Sequence, residues 1–276
     1  MQPTRFEIDG VRYYRTGDDP TKAYPSVTAI LGKTSSEASK KALLTWAKNN
    51  PGGREAAAER GTAVHAACEA YIRGLPTNIP DAYRPYWDGL AKHLDKYDSF
   101  LWSEKPLRPQ WKHCTGLDGI SRIWSHKYNY CGCPDLVAVR NNVTCLVDFK
   151  TSVGPYARYY PKEKDRSTFG GWNKFRKCAI QLAAYAIACD ETLGIKVDTA
   201  QILVSTPEID QSFYLHGDDL EVYRFKWLQK VRHYQEICEQ EAAEREQQVI
   251  LDSSIARPSA TTCSPSFAGI GATHAL

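Results

Sequence analysis

The strongest constraint in the sequence is the segment around CGCPDLVAVRNNVTCLVDFKTS, where two β-rich runs, Tyr130–Arg140 and Val143–Lys150, flank Asn141-Asn142. Valine, leucine and phenylalanine favour a pleated, buried surface, and paired asparagines tolerate the left-handed backbone of a tight two-residue turn. An antiparallel hairpin is expected. Side chains alternate along a strand, so Asp148 and Lys150 share one face while Val147 and Phe149 take the other. Leu146, Val147 and Phe149 mark the strand as largely buried, and a buried carboxylate beside a buried ammonium is costly unless something compensates it.

The rest of the chain supplies partners for such a strand. Phe6 to Tyr13 alternates around Asp9-Gly10, a second hairpin signal. Ser26 follows Pro25 as a helix cap for a short helix to Leu31, and further helices are expected over Glu37–Asn49, Glu55–Arg73 and Tyr83–Trp102. Residues 153–173, rich in proline, glycine, tyrosine and charge, read as a long loop before a helix over Lys174–Cys189. Short strands at Thr199–Ser205 and Ser212–Leu215 precede an amphipathic helix from Asp218 to about Val249. These elements predict one α/β domain over residues 1–250, a small central mixed β-sheet flanked by helices. Residues 251–276, dominated by Ser, Thr, Ala, Gly and Pro, read as a flexible tail.

Composition narrows the classes. The longest apolar run, Leu182 to Cys189, has eight residues, and a membrane span needs about twenty. The first residues show no apolar leader, and nine cysteines scattered over 276 residues suit free thiols better than a disulfide framework. A cytoplasmic location is therefore expected. The net charge of +3 is unevenly spread: residues 218–248 carry eight acids against five bases, so residues 1–217 hold a net +6. That imbalance permits a polyanionic partner.

On the residues alone two readings of Asp135, Asp148 and Lys150 stand side by side. In one, Asp148 and Lys150 form an ordinary ion pair on an edge strand and Asp135 is a turn residue after Pro134. In the other, Asp135 and Asp148 are ligands of a hard divalent cation. Mg²⁺ takes oxygen ligands and keeps several waters, so two carboxylates and the Phe149 carbonyl would suffice, with Lys150 helping to activate a water. Two other motifs are set aside. Gly32-Lys33-Thr34 lacks the first glycine of a phosphate-binding loop, because position 27 is valine. Cys131-x-Cys133 has the wrong spacing for a common zinc site, and Cys131, Cys133 and Asp135 are expected to alternate on one strand face.

Pro134-Asp135 and Asp148-Phe149-Lys150, the upstream RGTAVHAACEAY with His65, the downstream QLAAYAIA with Gln181 and Tyr185, and YPSVTAIL near the N-terminus occur in one order. In this the chain resembles the PD-(D/E)XK nuclease superfamily, and within it the RecB-like and mitochondrial genome maintenance exonuclease branch, phage members included. The resemblance spans about residues 24–205. It implies a restriction-endonuclease-like core and a Mg²⁺- or Mn²⁺-dependent deoxyribonuclease, most similar to an exonuclease of DNA replication, repair or recombination that prefers single-stranded ends. His65 would then complete the metal shell with Asp135, Asp148 and the Phe149 carbonyl. Glu69, one turn beyond His65, reads as a hydrogen-bond partner behind that ligand or as a surface acid, with the surface reading preferred. Lys150 would act on the attacking water, and Gln181 and Tyr185 would lie against the site and touch substrate.

Thr151 and Ser152 follow the lysine and could donate to a phosphate or cap the loop. Between residues 153 and 177 seven bases, among them Lys174 and Arg176, alternate with tyrosine, phenylalanine and tryptophan. That mixture suits a single strand, whose phosphates take the charge and whose bases stack on rings; a charged surface loop over packed aromatics is the alternative. Many relatives carry an acid on the strand before Pro-Asp. Residues 120–124 have none, and Glu104 would fill the role if residues 105–119 are an insertion. An endonuclease of the same fold and a catalytically inert DNA-binding recombination module remain as further readings.

Overall fold

A computed structural model of the chain describes residues 5–15, 21–103, 122–161 and 166–255. In chain order β1 (Arg5–Ile8) and β2 (Val11–Arg15) form the N-terminal hairpin and β3 (Ala23–Pro25) extends it. Asp9 and Gly10 at its turn both have positive φ, 51° and 72°, as the dipeptide requires. Ser26 caps α1 (Val27–Lys33): its Oγ accepts from the Ala29 amide at 3.1 Å, worth about 1 kcal/mol. Then come α2 (Glu37–Asn49), α3 (Gly53–Ile72), a 3-10 turn at Asp81–Tyr83, α4 (Arg84–Leu94) and β4 (Ser99–Ser103). The second half holds β5 (Ile123–Ser125), β6 (Tyr130–Gly132), β7 (Leu136–Arg140), β8 (Val143–Thr151), α5 (Arg166–Leu193), β9 (Thr199–Ser205), β10 (Asp210–His216) and α6 (Asp218–Ile255).

The central sheet has the order β10-β9-β8-β7-β4. β8 and β9 run parallel, while β4, β7 and β8, and likewise β9 and β10, pair antiparallel. The molecule is thus mixed α/β, with a central mixed sheet between helices. Parallel neighbours cannot be joined by a tight turn, and α5 is the crossover that brings the chain from β8 back to β9. Cys145, Val147 and Phe149 of β8 pack with Val64, Cys68 and Ile72 of α3 and Leu90 and Leu94 of α4 in one buried cluster. The alternate residues, Leu146, Asp148 and Lys150, face α5.

By its contacts the chain divides into two units, Met1–Tyr234 and Gln235–Leu276. The first is the body just described. Of the second, the described part is the distal portion of α6, whose residues are mostly exposed. Among the described residues no helix is long and apolar enough to cross a membrane.

The hairpin forms as expected. Arg140 pairs with Val143, and Asn141 and Asn142 have φ of 51° and 62°. Four expectations need correction. Tyr83–Trp102 is not one helix: α4 ends at Leu94, and Ser99–Ser103 is a strand on the edge of β7. The spacing of Tyr97, Phe100 and Leu101 mimics a helix, but the open edge of β7 offers them a ladder, and Asp98 locks the junction by accepting from the Asn141 amide at 2.6 Å. The run Tyr130–Arg140 is broken at residues 133–135. Pro134 has no N–H to give a ladder, so Cys131 belongs to β6 beside β5, while Cys133 and Asp135 sit in the break and not on a common strand face. The loop over 153–173 is shorter than expected, since α5 starts at Arg166. Gly170-Gly171 reads as a loop signal, yet a Cβ at Gly171 would lie 2.6 Å from the Pro155 carbonyl, so this glycine serves close packing. Finally α6 runs to Ile255, past the start of the expected tail. Glu104, Lys162 to Asp165 and the tail beyond Ile255 lie outside the described residues.

Candidate active site

β8 is the interior strand on which the site is built. Asp148 is almost fully buried, its side chain 3% exposed, and Lys150 Nζ lies 2.5 Å from its Oδ2 with 24% exposure. The ammonium is the counter-charge of that oxygen. Burial, together with the neighbouring Asp135 charge, outweighs Lys150 and lifts the Asp148 carboxyl to a pKa of about 6. Lys150 is pulled down by burial but pushed up further by Asp148 and stays protonated well beyond the ordinary lysine range.

Asp135 sits at the break before β7. One oxygen, Oδ2, accepts from the Phe149 amide at 2.6 Å, and the other, Oδ1, lies 3.2 Å from Nδ1 of His65. His65 is on α3, between the buried Val64 and Cys68 and the exposed Ala66, and its Nε2 meets the Phe149 carbonyl at 3.0 Å. A carbonyl can only accept, so Nε2 must carry a proton. Burial alone would raise the Asp135 pKa, but the imidazole, Lys150 and the Phe149 amide hold it below the usual carboxylate range. An ionised Asp135 calls for a proton on Nδ1 too, which makes His65 an imidazolium; burial opposes this charge, and Asp135 more than offsets it, so the His65 pKa rises above 6.5. His65, Asp135 and the Phe149 carbonyl open onto a cavity of about 450 Å³, lined also by Gly61, Thr62, Ala66 and Glu69. Asp148 and Lys150 are not on its wall and reach the group from the α5 side of β8.

α5 covers that side with the expected Gln181 and Tyr185. Gln181 Nε2 donates to the Tyr185 hydroxyl at 3.0 Å. Burial, and next the charge of Asp148, raises the Tyr185 pKa. The ring leaves no room opposite: a Cβ on Gly132 would come within 2.3 Å of Tyr185 Cε1. Thr151 and Ser152 are each matched to a cation, Thr151 Oγ1 accepting from Arg60 Nε at 3.3 Å and Ser152 Oγ from Lys174 Nζ at 3.0 Å. Burial and the Arg60 charge push the Lys174 pKa down. Arg176 is separate from this group and stacks over Trp172.

Two contributors, Arg60 and Cys178, escape the sequence reading, and the preferred reading of Glu69 as a surface acid is too simple. Arg60 lies in the RGTAVH block five residues before His65, and its only signal is that position. Glu69 lines the cavity and accepts from Ser103 Oγ at 3.4 Å, so it is not simply a surface acid; its spacing of four from His65 was the signal. Cys178, buried on α5, is felt by Lys150, and nothing in sequence marks it.

Among the described residues no group of three or more His, Cys, Asp or Glu side chains is gathered as a metal cluster. Even so, His65 meets the Phe149 carbonyl and Asp135 the Phe149 amide, and the charges of His65 and Asp135 both act on Asp148. No protein-family model and no curated protein matches the chain.

Proposed function

We propose that the chain is a Mg²⁺- or Mn²⁺-dependent deoxyribonuclease with a PD-(D/E)XK-like core, hydrolysing DNA from single-stranded ends. The observation that carries the reading is the pairing on β8: a buried carboxylate, an ammonium 2.5 Å from it, and next to them a backbone carbonyl facing His65. A buried carboxylate is costly unless its charge is compensated, and burial with the Asp135 charge lifts the Asp148 pKa to about 6 in spite of Lys150. A divalent cation beside the two acids would hold both ionised.

The residues present suit a hard divalent ion. Asp135, Asp148 and the Phe149 carbonyl would hold it with His65, and it would supply polarisation of a phosphate oxygen and activation of water. The protein's own part is positional. Asp135 fixes Phe149 through its amide and so aims the carbonyl next to it. Asp148 keeps Lys150 protonated, which places a positive N–H donor where charge grows on the attacked phosphate. Arg60, Lys174, Thr151 and Ser152 give cations and hydroxyls at the C-terminal end of β8, suited to further phosphates of the strand. By resemblance the 3′ oxygen leaves and the products carry 5′ phosphates.

The test is digestion of end-labelled linear and circular single-stranded DNA in Mg²⁺ or Mn²⁺. Wild type should shorten linear strands and spare circles, and both Asp148→Asn and EDTA should abolish cutting. Cleaved circles would point to an endonuclease of the same fold. Wild type no more active than Asp148→Asn would overturn the catalytic reading.

A further inference from the structure

Three cations meet where α5 and α6 adjoin, away from the face of α5 that carries Lys174, Cys178, Gln181 and Tyr185. Arg176 lies over the Trp172 ring, 4.4 Å from its centroid. Lys226 Nζ lies 4.7 Å from the Tyr223 centroid, and Lys230 follows one turn later with Nζ on the Thr34 carbonyl at 2.6 Å. Burial, and then the charge of Arg176, pushes both lysines down. The acids of the adjoining turn are engaged elsewhere: Asp219 with Arg158 and Glu221 with Arg224. Like charges four apart on a helix repel, and half-burial removes water that would soften the repulsion. The Thr34 contact accounts for Lys230 as a cation at the end of α1, whereas among the described residues Arg176 and Lys226 have ring contacts and no anionic partner. An anion at this place would relieve the strain.

Two of the cations lie over rings, and further rings adjoin them. Tyr160, Phe169 and Trp172 form one cluster with centroids 4.9 to 6.0 Å apart, yet Tyr160 is 64% exposed. Phe225, next to Lys226, is also 64% exposed. Rings that contact each other and still face solvent beside cations without an anionic partner among the described residues match the two faces of an unpaired nucleic acid strand, phosphate and base. A duplex would offer the phosphates and hide the bases.

We propose that this surface is a second, noncatalytic binding site for single-stranded nucleic acid, with phosphates on Arg176, Lys226 and Lys230 and bases on Tyr160, Phe169 and Phe225. The inference deepens the reading above and rests on it for the expectation that the polyanion is DNA.

The experiment measures fluorescence anisotropy of a labelled oligothymidylate of about 30 nucleotides with the full chain in EDTA, over a series of salt concentrations. Relative to wild type, the double variant Arg176→Gln, Lys226→Gln should bind about tenfold more weakly, with the slope of log K against log salt reduced by about 1.4, two contacts at about 0.7 each. Phe225→Ala should weaken binding without changing the slope. Circular dichroism melts establish that the variants are folded; should the double variant be unfolded, Lys226→Gln alone reads the same effect at half the slope change. Unchanged affinity and slope overturn the proposal, as does a duplex of equal length bound as tightly as the single strand. Variants that bind more weakly in EDTA together with a wild type that never cuts in Mn²⁺ support this surface and sink the nuclease reading. A wild type that cuts while the variants bind normally does the reverse.

Discussion

The Phe149 main-chain amide donates to Asp135 Oδ2 at 2.6 Å, so the acid before β7 fixes the backbone of β8 at the residue whose carbonyl faces His65. Asp135→Ala removes that acceptor and leaves a largely buried amide unpaired, a loss of about 1–3 kcal/mol. Asp135→Asn keeps an oxygen for the amide but loses the charge. It should melt close to wild type and lose about a hundredfold or more in cleavage. Thermal melts paired with end-label digestion separate the two; equal losses of stability would show that the hydrogen bond is not the structural role.

Metal affinity should rise with pH between about 5 and 8. His65 has a pKa raised above 6.5 and Asp148 one lifted to about 6, so near pH 6 both retain protons that an ion must displace. For the metal-free chain the sign is opposite. Groups with raised folded pKa values add stability that is fully present below their unfolded pKa values and is lost as pH rises through the folded ones. Calorimetry of Mn²⁺ binding in buffers of different ionisation enthalpy should find proton release near pH 6, and its absence would exclude these two groups as ligands.

Lys150→Gln removes the counter-charge of Asp148 and should destabilise the metal-free chain by no more than about 3 kcal/mol, because Asp148 can take up a proton instead. Added Mn²⁺ should recover part of the melting temperature although cleavage stays lost. A variant that ions fail to stabilise would argue against a cation beside Asp148.

Gly132→Ala places a methyl group 2.3 Å from Tyr185 Cε1 and 3.2 Å from Val27 Cγ2. The ring must shift and pull on its contact with Gln181, at a cost of about 1–3 kcal/mol. Reduced activity in a chain that still folds would tie the Gln181–Tyr185 pair to substrate; stability loss with full specific activity would assign the pair to packing.

Glu69→Gln tests the acid on the cavity wall. If Glu69 supports the ion, Mn²⁺ affinity should fall about tenfold with little change in melting temperature. Unaltered affinity would return Glu69 to a structural role with Ser103.

Local rules made much of the architecture legible. The two hairpins were specified by Asp9-Gly10 and Asn141-Asn142, dipeptides with few alternatives, and α1 by the Ser26 cap. The alternation of β8 placed Asp148 and Lys150 together before any fold was known. Legibility failed where a distant segment decided the outcome. Ser99–Ser103 is a strand because β7 leaves an edge for it, and position 171 takes a glycine for the close approach of Pro155 and not for a loop. Arg60 and Glu69 needed the third dimension as well, since a helix alone does not reveal what lies opposite. Lys174 and Arg176 are close in sequence, yet two residues along a helix turn a side chain through most of a half circle, so Lys174 reaches Ser152 while Arg176 lies over Trp172.

The parallel pairing of β8 with β9 governs the order in which this molecule is assembled. Lys150 registers with Val204, so the central strand gains its second neighbour only after some fifty further residues, α5 among them, have been synthesised and folded back. Such non-local closure is slow compared with hairpin formation. On the ribosome the N-terminal and β7–β8 hairpins can form early, but a nascent chain stopped before Thr199 would carry every proposed metal ligand and still be inert.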